Sequence, residues 1–189
     1  MYAVLRNSLL TDSKSFYAAK ILLGSFFIAL CAQISVPFYP VPMVLSVDAV
    51  LIIGLFCSPR VAFGATATYL IEALMGLPVL QGFSGGPVTF GPTGGYIIGF
   101  IAMATIISLL THGKSGLIRK LFACLVGTIA LYALGLAWLS QFTGFEKALE
   151  LGLYPFALKA ALSIIGSVFA TELMQNLKNR WNKTHGNGI

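Results

Sequence analysis

Acidic residues are nearly absent from this chain: Asp and Glu total six in 189 residues, and charged residues of both signs make up only 10%. A soluble domain carries about 25%, so there is too little polar surface here to solvate a globule. Histidine is equally scarce, with only His112 and His185, both in basic segments. That excludes a Ser/His/Asp relay and a histidine-built metal centre. The three cysteines, Cys31, Cys57 and Cys124, form no CxxC pair and lie in or at the ends of apolar runs. They read as small core residues, not as disulfides or metal ligands. Paired carboxylates are missing too. A nucleotide site is also lacking: Gly113-Lys114-Ser115 resembles the end of a P-loop, but the position five residues before Gly113, where that motif needs glycine, is Ser108. The segment also follows an apolar helix rather than a strand. The chain is expected not to be an enzyme, and to need no cofactor or metal.

What is present is long apolar sequence. Phe16 to Val36 is broken in the middle only by Gly24, Ser25 and Gln33, with Lys20 near its start and Ser35 near its end, and Leu121 to Ser140 carries no charge. Each approaches the roughly 20 residues that a helix needs to cross a bilayer's hydrocarbon core. The pattern predicts an all-α integral membrane protein, a compact bundle of about six spans over residues 16–36, 43–57, 61–75, 95–111, 121–140 and 159–177, forming one membrane domain. The first run is too long for a cleavable leader and no small-residue cleavage site follows it, so none is expected. Prolines 37, 40 and 42 exclude regular helix between spans one and two. Ser58-Pro59-Arg60 reads as a tight turn, and 76–95, with seven glycines and three prolines, reads as an irregular loop. Residues 112–120 read as a short basic loop and 141–158 as a longer one of mixed charge.

The net charge of +6 comes from cations in loops and tails, without the aromatic interleaving of a nucleic-acid surface, so nucleic acid is not an expected partner. Ten of the twelve cations (Arg6, Lys14, Lys20, Arg60, Lys114, Arg119, Lys120, Lys178, Arg180 and Lys183) fall on one side of a six-span arrangement. Only Lys147 and Lys159 fall on the other. The positive-inside bias then predicts both termini in the cytoplasm, a multi-pass protein of the cytoplasmic membrane in contact with lipid, and loops 37–42, 76–95 and 141–158 outside.

Those outer loops are rich in glycine, proline and aromatics. Non-helical backbone near a membrane must be buried in protein or line a cavity, and an aromatic-walled cavity with few polar groups suits a small organic ligand. Intramembrane ionisable residues are functional candidates by default; here they are Asp48, Glu72 and Lys159. The two acids can face the outer cavity or be satisfied structurally. Lys159, where an outer loop meets an apolar span, can hold a ligand carboxylate or can snorkel to the interface. On span one, Gly24 and Ser25-xxx-Ala29 place small residues at a spacing that lets helices approach closely, within the chain or against a partner subunit.

Three segments carry a resemblance to a known family. They are Ala32-Gln33-Ile34-Ser35-Val36-Pro37 continuing through Pro40-Val41-Pro42; Gly54-Leu55 with Pro59-Arg60, Gly64 and Tyr69; and Gly76-Leu77-Pro78-Val79 followed by Gly91-Pro92-Thr93-Gly94-Gly95-Tyr96 and Gly99-Phe100. Over about residues 16–175 the chain resembles the BioY family, the biotin-binding membrane subunits (S components) of energy-coupling factor (ECF) transporters. The resemblance implies capture of biotin from outside, with release driven by a separate transmembrane coupling subunit and ATPase subunits. On this reading the candidate ligand contacts are Lys159, then Gly82, Phe83, Ser84, Thr93 and Tyr96 around the third loop, and Ser46 and Tyr154, with Asp48, Glu72 or Gln81 as substitutes for an acidic partner the family usually has. It makes Gly24, Ser25 and Ala29 candidate contacts to the coupling subunit. Against the family's usual pattern, Phe156 replaces the acid expected before the lysine, Ser46 replaces a glutamine, and Asp48 and Gln81 are atypical. The competing reading is a proton-coupled secondary transporter of a small vitamin-like carboxylate, with Glu72 or Asp48 as the relay; no clear internal repeat supports it.

Overall fold

Apolar sequence without amphipathic periodicity makes helices that expose hydrophobic side chains, and the computed structural model shows this. It describes residues 2–36, 41, 43–113 and 116–185, with side chains described for 15–36, 41, 43–113, 116–174, 176 and 177. Pro37, Phe38, Tyr39, Pro40, Pro42, Lys114 and Ser115 lie outside the described residues, as do the side chains of Arg6, Lys14, Lys178, Arg180 and Lys183. The chain runs through α1 (Tyr2–Ala32), β1 (Ser35–Val36), β2 (Met43–Val44), α2 (Ser46–Phe56), α3 (Pro59–Leu74), α4 (Gly94–Thr111), α5 (Leu117–Thr143), α6 (Phe145–Gly152) and α7 (Tyr154–His185). Two 3₁₀ turns, Gln81–Phe83 and Gly86–Phe90, lie between α3 and α4.

Among the described residues four helical stretches are long and apolar enough to cross a membrane: Ser15–Ala32, Gly94–Thr111, Leu117–Thr143 and Tyr154–Met174. Leu158, Leu162, Ile165 and Phe169 expose one stripe of α7, and Phe122, Leu125 and Ile129 one stripe of α5. The spacing of three and four residues is that of a single helix face, and lipid is the solvent that suits it. α4 packs most extensively on α5, α1 on α3, and α2 and α3 on α4, while α7 closes the bundle against α2 and α5. Side-chain size permits the closest of these approaches. At Gly24 of α1, an added Cβ would lie 2.7 Å from the Cβ of Ala65 on α3; at Gly135 of α5 it would lie 2.4 Å from the Tyr96 ring of α4.

The structure differs from the sequence-based spans in several places, among them the start of the last helix, at Tyr154 rather than residue 159. The first helix stops at Ala32 rather than residue 36, because Ser35–Val36 pairs antiparallel with Met43–Val44, Ser35 opposite Val44 and Val36 opposite Met43. Val36 precedes a proline, which disfavours helix there, and the hairpin also moves the start of α2 from residue 43 to Ser46. The third helix begins at Pro59, at the N-terminal position where a missing N–H costs nothing. The 141–158 loop contains a helix, α6, which Gly144 introduces with a φ of 80°. Residues 117–120, read as loop, form the first turn of α5. At about 1.5 Å per residue, the 11 residues of α2 reach about 16 Å and the 16 of α3 about 24 Å, both short of a full crossing. Val44 of the hairpin, residues of α2 and the 80–93 segment enclose a space against α4, α5 and α7.

Candidate functional site

That space is a cavity of about 440 Å³, within the size range of small-molecule sites. Its walls are mainly apolar and aromatic. Val44 and Val47 come from the hairpin and α2, Ile97 and Phe100 from α4, and Leu131 from α5, with the rings of Tyr69, Tyr96, Tyr132 and Phe156 around them. Residues of the 80–93 segment roof it.

The roof is held by polar side chains whose bonds are spent on backbone. Gln33, just past the end of α1, donates from Nε2 to the carbonyls of Ala29 (3.1 Å) and Leu80 (3.0 Å), and its Oε1 accepts from the N–H of Phe83 at 3.0 Å. The turn closes on itself: Leu80 N–H donates to the Ser84 carbonyl (2.9 Å) and Ser84 Oγ to the Gln81 carbonyl (2.7 Å). Phe83 has a φ of 55°, unusual for a non-glycine residue, and Gln33 holds the N–H of that strained residue. Tyr69 donates to the Val79 carbonyl at 3.3 Å, and Trp138 Nε1 to the Gly91 carbonyl at 3.0 Å, fixing the two ends of the segment to α3 and α5. Tyr96 donates to the Gly152 carbonyl at 3.1 Å, tying α4 to α6. The rings of Tyr69 and Tyr96 are thus fixed as walls.

One charged side chain lines the cavity among the described residues. Lys159 Nζ donates to the Val44 carbonyl at 2.8 Å and to Asp48 Oδ2 at 3.2 Å. Asp48 lies in the first turn of α2, where the helix dipole favours an anion. Two of the three ammonium donors are therefore engaged by this chain, and the Lys159 side chain still borders the cavity. Ser46 and Ser163 also line it, and their hydroxyls make no hydrogen bond among the described residues.

The structure brings Lys159, Ser46, Gln81, Ser84, Thr93 and Tyr96 to the cavity, with Asp48 behind Lys159. It does not bring the others. Phe83 is 72% and Tyr154 68% exposed; neither lines the cavity, nor does Gly82. Glu72 accepts a 2.5 Å hydrogen bond from Ser25 of α1, away from the cavity. That bond also accounts for the small residues of the first span. Gly24 and Ser25 meet α3, and Ala29 packs on the core, so this face of α1 is used inside the chain. Sequence reasoning missed Ser163, Tyr132 and the latching role of Gln33. Ser163 was within reach, because it lies four residues after Lys159 and so on the same helix face. Gln33 and Tyr132 carry no signal that singles them out before the helices are packed.

A helical membrane protein whose short second helix leaves room for an apolar, aromatic-walled cavity, roofed by a latched loop and touched by one ammonium group, is a small-molecule-binding membrane protein. The sequence matches the BioY family over residues 7–180, and the chain belongs to that family. It is 40% identical over 162 residues to a probable biotin transporter BioY of Pyrococcus horikoshii, covering 84% of this chain and 97% of that one. It is 31% identical over 173 residues to the biotin transporter BioY2 of Lactococcus lactis, covering 89% and 95%. A crystal structure of the S component for biotin from an ECF-type ABC transporter superposes with a TM-score of 0.66 at 25% identity, covering 85% of this chain and 93% of that one.

Proposed function

We propose that this chain is the substrate-capturing subunit of an ECF-type transporter and that its ligand is biotin. The observation that carries the reading is the cavity of about 440 Å³ with Lys159 as its charged lining residue, in a chain that matches the BioY family along nearly its whole length. A fused bicyclic ring fits between aromatic walls. The ligand's polar groups need donors and acceptors, and Lys159, Ser46, Ser163, Gln81 and Thr93 supply them. Glycine-rich backbone at the roof admits the flat ring at close range.

In this reading the four long helices cross the membrane, the shorter α2 and α3 lie within it as two further segments of a six-segment bundle, and α6 lies at the roofed end. The cation bias puts both termini and Arg60, Arg119 and Lys120 on the cytoplasmic side, with the cavity opening outward. The membrane is the cytoplasmic one. The chain is a single membrane domain that works without a cofactor of its own. A transmembrane coupling subunit and ATPase subunits supply the energy for release.

The test is calorimetric titration of biotin into the purified, detergent-solubilised chain alone. Tight one-to-one binding without ATP is expected. A folded protein that binds no biotin would overturn the reading and direct the search to other small vitamins.

A further inference from the structure

Lys159 does not meet a ligand as a free cation. Its ammonium group is already paired with Asp48 at 3.2 Å and bonded to the Val44 carbonyl at 2.8 Å. The two side chains are similarly shielded, 27% and 25% exposed, so the pair shares one environment. No other charged side chain lines the cavity among the described residues. The polar wall is therefore close to electrically neutral before any ligand arrives, and one ammonium N–H remains for it. A carboxylate placed there gains the attraction of Lys159 but meets the repulsion of Asp48 a few ångströms further on. A neutral carbonyl accepts the same hydrogen bond without that opposition.

We propose that Asp48 sets the charge specificity of this site: by neutralising Lys159 it removes most of the preference for an anionic ligand terminus, so that the site takes the free acid and a carboxyl-capped form of its ligand almost equally. This rests on the biotin reading and deepens it. Asp48 is a positioning residue, acting through Lys159. The position suits this, because Asp48 in the first turn of α2 follows closely on Val44 at the end of β2, the other group holding the ammonium.

The experiment compares biotin with its primary amide by titration into the purified full chain, and reads the ratio of the two dissociation constants within each protein. A ratio is insensitive to the fraction of protein that is folded. For the native chain the expected ratio is under about tenfold. Asp48→Asn leaves the ammonium unneutralised and is expected to raise the preference for the acid by about 10- to 100-fold, the size of one charge–charge interaction at short range in a partly shielded site. Lys159→Met leaves Asp48 facing the ligand and is expected to invert the ratio in favour of the amide. The double variant is expected to return it to near the native value. If both ligands bind and Asp48→Asn leaves the ratio within about twofold of native, the proposal fails while the biotin reading stands. If Asp48→Asn does not fold, an uninverted ratio in Lys159→Met overturns it instead. Failure of the native chain to bind either ligand overturns the biotin reading itself.

Discussion

Among the described residues two ion pairs join α7 to the rest of the bundle, and they sit in different surroundings. Near one end of the helix, Lys159 meets Asp48 at 3.2 Å with 27% and 25% of the side chains exposed. Thirteen residues further along, Glu172 meets Lys120 at 2.9 Å, and the lysine is only 4% exposed. The first pair borders a cavity and keeps a donor for a ligand. In the second, a fully packed ammonium group ties the first turn of α5 to α7. Removing one partner of a buried pair strands the other charge and costs far more than removing one partner of a hydrated pair. On the proposed reading the same chemistry serves stability in one place and recognition in the other.

The largest effect should come from breaking the inner pair. Lys120→Ala is expected to destabilise the protein by about 3 kcal/mol, at the low end for buried pairs because Glu172 is a third exposed. Thermal unfolding in detergent reads this, and the affinity of the remaining folded protein should stay near native. Next comes Lys159→Ala, expected to weaken biotin binding by about 10- to 100-fold, the worth of one charge-assisted hydrogen bond, while stability changes by under about 1 kcal/mol. Should Lys120→Ala lower affinity and Lys159→Ala lower stability, the contrast between the pairs is wrong. Gln33→Ala sharpens it from another side. Losing its two bonds to the roof should raise the ligand off-rate by up to about tenfold, since lost contacts act mostly on dissociation. Stopped-flow displacement measures that rate. Ser163→Ala should have the smallest effect, under about fivefold in affinity, because a neutral hydroxyl contributes about 1 kcal/mol at most.

Lys159 was legible in the sequence because a lone cation at the start of an apolar run conflicts with its surroundings, whatever those surroundings turn out to be. Lys120 was misread for the opposite reason. It follows Arg119 and lies near Lys114, so it looks like part of a solvated basic loop, and its partner Glu172 is 52 residues away. Glu72 illustrates the same limit. Its position on an apolar span marks it as costly to bury, but the bond that satisfies it comes from Ser25, 47 residues earlier. The glycine-rich 76–95 segment was legible as irregular and cavity-lining; that Gln33 latches it was not, since the bonded atoms are 47 and 50 residues apart in the chain.

The sequence by itself determined that this protein lies in a membrane, which end of the chain's organisation is basic, where regular helix must stop, and which family it resembles. Those properties are sums over neighbouring residues: hydropathy, proline and glycine placement, and local charge. Only the tertiary structure decided which polar side chains share a cavity, which lysine is structural, and that Asp48 already occupies the cation a ligand would seek. Those outcomes depend on which helix faces meet. In helices with little amphipathic pattern, lipid-facing and core-facing sides are equally apolar, so the facing direction is set by close packing at residues such as Gly24 and Gly135 rather than by hydrophobicity.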